Sequence, residues 1–204
     1  IEYVAGDQPG EWRQDPISMH PLALGAAWPT VTPIVLTSGD QFRIPPPPAL
    51  TSPEYQLAYE EAKVLGGDGV TTPTARPDEA TEIGIYWAYD GTPSLCAPPR
   101  LYNQIAVSIA DQRGTGPIQL SRLLALVNVA MADAGIAIWE SKYYYKFWRP
   151  VGGIREGGDP TFTPLGAPAS NLTGPNFTPP FPAYPSGHAG FGGALFEMLR
   201  NVYG

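Results

Sequence analysis

Apolar positions recur at helical spacing in five stretches of the chain, and nowhere do they alternate with polar positions at the two-residue period of a half-buried strand. The first predicted helix starts at Ser52, carries Pro53 and Glu54 in its opening turn and closes near Gly66, since proline suits a first turn and glycine a C-terminus. A second begins at Pro77, where Asp78 and Glu79 favour the positive N-terminal end, and runs to about Asp90. A third follows Pro98 and Pro99 and reaches about Gln112, before Gly114 and Gly116 break it. The fourth runs from Pro117 towards Arg149, with Leu120, Leu123, Leu126, Val127, Met131, Ile136, Ile138 and Trp139 spread over nearly every face. Such a helix belongs in the middle of a bundle. The fifth, Ser186 to Tyr203, has small residues from Ala189 to Ala194 that let a neighbour approach its backbone closely.

Between these stretches proline and glycine dominate. Residues 1–53 hold Pro16, Pro21, Pro29, Pro33 and the run Pro45 to Pro48 without a helical period, so they are expected to form an extended arm over a helical body at 54–204. Trp12, Trp28, Ile34, Val35, Leu36 and Phe42 are the expected apolar anchors, which a flexible linker would not need. Pro150 to Pro185 reads as one long ordered loop. The fold class is therefore all-α, a helical bundle with long proline-rich loops and an extended N-terminal arm.

Composition narrows the function. A net charge of −7 argues against a nucleic-acid surface. The single cysteine, Cys96, excludes a disulfide or a cysteine metal cluster within these residues. The greasiest stretch, Leu123 to Trp139, is interrupted by Asn128 and Asp133, so no membrane span is expected. The sequons at Asn171 and Asn176 suggest a secreted, extracellular protein, and the start at Ile1 without methionine suggests that something precedes it.

The candidate chemistry lies at two places. Lys142 and Arg149 stand seven residues apart, and on a continuous helix they would share a face about 10 Å apart, with Pro150 ending the helix just beyond. Aromatic residues surround both, and buried like charges call for an anion between them. Pro185-Ser186-Gly187-His188 opens the last helix, where free backbone N–H groups and the helix dipole favour an oxyanion. Ser186 can add a hydroxyl donor, Gly187 can allow close approach, and His188 can move a proton near neutral pH. Taken singly, Lys142 is better read as a snorkelling lysine, Arg149 as a locally paired arginine and His188 as structural. The combination is more specific.

Lys142, six residues, Arg149-Pro150, and then Pro185-Ser186-Gly187-His188 resemble the signature joining vanadium haloperoxidases to type 2 phosphatidic acid phosphatases and bacterial acid phosphatases. The stretches Leu124 to Gly135, Pro179 to Ala189 and Tyr86-Trp-Ala-Tyr-Asp-Gly91 look like the chloroperoxidase branch. The resemblance implies a vanadate cofactor, with hydrogen peroxide, halide and a small organic acceptor as partners. It implies that Lys142, Arg149, Ser186 and the Gly187 amide bind the oxygens of vanadate, and that His188 is the acid–base group. It places Trp139, Phe181, Pro179 and Pro180 at the halide pocket and makes Asp90 a carboxylate partner of the pocket arginines. Phe181, seven positions before His188, stands where bromide-preferring members tend to carry histidine, which implies chloride oxidation as well. The family's second arginine and vanadium-ligating histidine are not found after His188. The body is thus expected to be the N-terminal part of a vanadate-binding domain, completed by a C-terminal continuation or companion chain beyond Gly204. An acid phosphatase using the same pocket, or a non-catalytic oxyanion-binding fragment, is the alternative.

Overall fold

A computed structural model of the chain describes residues 3–89, 97–167 and 178–204. It contains α1 (Pro53–Gly66), α2 (Asp78–Trp87), α3 (Pro98–Gln112), α4 (Pro117–Tyr145), α5 (Pro150–Glu156) and α6 (Gly187–Tyr203), and among the described residues no strand. The expected starts hold for physical reasons. Ser52 caps α1 by accepting from the Tyr55 amide, and Pro53, Pro98 and Pro117 occupy first turns where a missing N–H costs nothing. The second helix ends at Trp87, so Asp90 lies outside it and outside the described residues, as do Cys96 and both sequon asparagines.

The main core lies where α3, α4 and α6 meet. Tyr102, Ala106 and Ala110 of α3, Leu123, Val127 and Met131 of α4, and Phe191, Leu195 and Leu199 of α6 form one buried cluster at four-residue spacing. A smaller cluster of Val151, Ile154 and Phe162 joins α5 to Tyr59 and Ala62 of α1. By length and composition α4 is apolar enough to cross a membrane, with mean hydropathy 1.5 over its best 18 residues, although any such window includes Asp133. A third of that window is buried in this fold, against α6, α3 and the arm.

Two expectations are corrected. The fourth helix stops at Tyr145, four residues short of Arg149, because Lys146 turns left-handed at φ 49°. Phe147 then bridges to Glu11, and the Trp148 amide donates to the Gly10 carbonyl at 2.9 Å. Arg149 is accordingly not one face along from Lys142 but the N-cap of α5, a helix in what reads from sequence as loop. Pro150 starts that helix rather than ending the one before.

The arm lies on the body, but mostly by polar contacts. Trp12 is 1% exposed, whereas Ile34, Val35 and Phe42 are 63%, 73% and 67% exposed. What holds this segment is Asp133 of α4, whose carboxylate accepts from the amides of Ile34, Val35 and Leu36 at 2.6, 2.7 and 2.9 Å. Arg43 pairs with Glu140 and lies over the Tyr144 ring. The chain bends at Ile34 to Leu36 so that three successive N–H groups converge, and a buried carboxylate takes them where no helix or strand partner does.

Candidate functional site

The cationic pair grips the loop that precedes α6. Lys142, 1% exposed, donates from Nζ to the carbonyls of Pro182 and Ala183 at 2.8 and 3.1 Å. Arg149 donates from Nε to the Phe181 carbonyl at 2.8 Å. The Phe181 ring lies 5.0 Å from Lys142 Nζ and 4.6 Å from the Arg149 guanidinium carbon. Carbonyl dipoles and a ring face thus solvate a buried ammonium and a half-buried guanidinium that would otherwise be costly to take from water. The same contacts fix residues 181–183, and with them the start of α6.

That start carries the expected N-terminal geometry. Ser186 is the N-cap, and its Oγ accepts from the Ala189 amide at 3.3 Å, which leaves the hydroxyl proton able to donate elsewhere. Gly187 is glycine for a reason sequence did not show: a Cβ there would come 3.1 Å from the Trp139 ring. His188 is walled by the rings of Tyr89, at 5.3 Å and 82°, and Trp87, at 6.1 Å and 85°. Its carbonyl accepts from the Tyr102 hydroxyl at 2.9 Å. Its Nε2 is buried and has no hydrogen-bond partner.

These groups meet on one cavity of about 610 Å³. Lys142, Arg149, Ser186, Gly187, His188, Phe181 and Pro179 all line it, and the one lining carboxylate among the described residues, Glu61, is exposed. Trp139 and Pro180 do not line it. Trp139 lies behind the wall, against Phe181 and Phe191 at 5.5 and 6.0 Å and against Trp28 of the arm at 5.2 Å. Pro180 accepts the Leu24 amide through its carbonyl at 2.9 Å. Among the described residues no group of three His, Cys, Asp or Glu could hold a metal ion. The cavity suits an anion instead: a buried and a half-buried cation, a helix N-terminus and an unsatisfied imidazole nitrogen.

Residues 122–204 match the family model of the VCPO second helical-bundle domain. Over 176 residues, 77% of the chain, the sequence is 44% identical to the vanadium chloroperoxidase of Curvularia inaequalis, of which it covers 29%. Over most of its length the chain is similar to vanadium haloperoxidases. Its fold superposes with a TM-score of 0.77 on the crystal structure of the first bacterial vanadium-dependent iodoperoxidase, at 28% identity, covering 98% of this chain and 46% of that one. The chain thus spans less than half the length of these relatives.

Around this cavity, the residues that the sequence left without a role are Trp87, Tyr89, Tyr102 and Thr178. The stretch from Tyr86 to Gly91 carried part of the family resemblance, and that was the available signal for Trp87 and Tyr89. Their contact with His188 is tertiary, about a hundred residues apart in the chain. The oxyanion fits the chain's own residues, which present donors and positive charge together.

Proposed function

We propose that this chain carries the larger part of a vanadate-dependent haloperoxidase site, which oxidises chloride as well as bromide with hydrogen peroxide to a hypohalous species that halogenates a small organic acceptor. One observation supports the reading above the others: Lys142, Arg149, the N-terminus of α6 and the unpartnered Nε2 of His188 converge on one cavity. Lys142, Arg149, the Ser186 hydroxyl and the Gly187 amide would hold the oxygens of vanadate. When bound, vanadate supplies a Lewis-acid centre that makes peroxide electrophilic without itself changing oxidation state. His188 gives and takes protons at Nε2, and the cations offset negative charge without reorganising. Phe181 and Pro179 keep water from the mouth, and an aromatic hydrocarbon neither titrates nor diverts the cationic field from the peroxide.

Two cations offset only part of a vanadate carrying about two or three negative charges once it leaves water. We propose that a further arginine and the vanadium-ligating histidine come from polypeptide outside these 204 residues, as a continuation or a companion chain. Phosphate, which shares the shape and charge of vanadate, would use the same contacts. The test is halogenation of a dione reporter by peroxide with and without orthovanadate, beside phosphate release from an aryl phosphate. Vanadate-dependent halogenation of chloride and bromide is expected. Phosphate release with no halogenation in either condition would overturn the reading in favour of a phosphatase.

A further inference from the structure

We propose that Thr178 is a further oxyanion-contacting residue of this cavity, its hydroxyl donating to a tetrahedral oxyanion beside His188. The proposal rests on the oxyanion reading of the cavity and extends it to a residue outside the Lys-Arg and Ser-Gly-His motifs. Thr178 lines the same cavity as Lys142, Arg149 and His188, and its Oγ1 is buried with no hydrogen-bond partner.

Other threonine hydroxyls of the chain do find partners. Thr72 Oγ1 accepts from the Thr163 amide at 2.7 Å, Thr74 donates to the Leu65 carbonyl at 3.1 Å, and Thr115 bonds the Tyr203 hydroxyl at 2.6 Å. A hydroxyl shut away from water without a partner carries a desolvation cost. Position gives that cost a use. Pro179 restricts Thr178 to extended backbone, the Phe181 amide closes onto the Pro179 carbonyl at 2.8 Å, and Arg149 holds the Phe181 carbonyl. The hydroxyl is therefore carried on a segment tied to one of the site's cations.

The surroundings also choose the ligand. Two cations with one exposed lining carboxylate favour an anion. A tetrahedral oxyanion offers several acceptor oxygens, so one can take the Thr178 hydroxyl while others meet the cations and the α6 amides. A neutral donor adds a bond there without adding charge.

The experiment measures binding of orthovanadate, and separately of inorganic phosphate, by calorimetry to the full-length protein and to its Thr178→Val, Thr178→Ala and Thr178→Ser variants. Valine and alanine should weaken at least one oxyanion roughly 10-fold or more, the scale of one hydrogen bond to a charged group, and serine should stay within about 3-fold of wild type. Loss on orthovanadate alone identifies vanadate as the ligand the hydroxyl serves, and loss on phosphate alone identifies phosphate. The ligand-free melting temperature of the valine variant should be no lower than wild type, because an unsatisfied hydroxyl has been removed. Wild-type affinity for both oxyanions in the valine and alanine variants would overturn the assignment of Thr178 alone. So would a lowered ligand-free melting temperature in both with no change in affinity, since the hydroxyl would then be structural. A wild-type protein that binds neither oxyanion would overturn the oxyanion reading of the cavity itself.

Discussion

Lys142 and His188 face the cavity from opposite states of satisfaction. Lys142 spends two of its donors on the Pro182 and Ala183 carbonyls, so it builds the site while charging it. His188 Nε2 has no such duty, and its ring is held by Trp87 and Tyr89 rather than by a hydrogen bond at that nitrogen. A positioned group with an uncommitted nitrogen suits proton transfer. We therefore expect His188→Ala to lower halogenation by about 10²–10⁴-fold, the range for losing a positioned acid–base group. Orthovanadate affinity should fall far less, since the cations and the α6 amides remain. Steady-state kinetics beside binding calorimetry checks this, and unchanged turnover would remove His188 from proton transfer.

At the scale of elements, α4 is both core helix and anchor for the arm, and Asp133 is the joint. Burial alone would raise the Asp133 carboxyl pKa, but three amide donors from Ile34, Leu36 and Val35 outweigh it and hold the carboxyl below its usual range. A depressed folded-state pKa stabilises above the unfolded value, near 3.9, and the stabilisation is lost as pH falls through the folded value. Asp133→Ala should cost roughly 2–4 kcal/mol at neutral pH, by removing hydrogen bonds to a charged acceptor. Urea denaturation should show this gap to wild type narrowing as pH drops below about 4. Limited proteolysis should find new cleavage within residues 31–44 in the variant. A gap independent of pH would mean that the carboxylate is not what holds the arm. Gly135 of α4 shows the same coupling sterically, since a Cβ there would meet Trp28 of the arm at 2.7 Å and Phe191 of α6 at 2.8 Å.

At the scale of the molecule, an acidic chain of net charge −7 brings a buried lysine and a half-buried arginine to one cavity. The chain covers 29% of one relative and 46% of the other, so the proteins it resembles surround this part with much more polypeptide. If a further arginine and histidine complete the site, the protein carrying that additional polypeptide should bind orthovanadate at least ~10-fold more tightly than the 204-residue chain. One added charge-assisted contact supplies that much. Titration of both forms, with circular dichroism confirming that the shorter one is folded, decides it, and equal affinities would refute it.

The division between what was legible in the sequence and what was not follows the range of the interactions concerned. Helix starts at Pro53, Pro98 and Pro117 and the cap at Ser52 are decided within one turn of chain, so local chemistry announced them. The all-α class and the core stripes of α3, α4 and α6 follow from periodicity. The pairing of Lys142 and Arg149 with the Ser186 to His188 turn was legible as motif spacing, although its geometry was not. A left-handed Lys146 in place of the usual glycine ended α4 early, and contacts with Glu11 and Gly10 redirected the chain so that Arg149 caps α5. Those partners lie more than a hundred residues away, beyond the reach of any local pattern. The same holds for Trp87 and Tyr89 around His188, for Trp139 behind the wall instead of on it, and for an arm fastened through Asp133 more than through its apolar side chains. The sequence by itself determined the all-α class, five of the helices by their starts, and which residues can bring positive charge or a titratable ring nitrogen. Only the tertiary structure decided which of them share a cavity, because that depends on how distant backbone donors and acceptors satisfy one another.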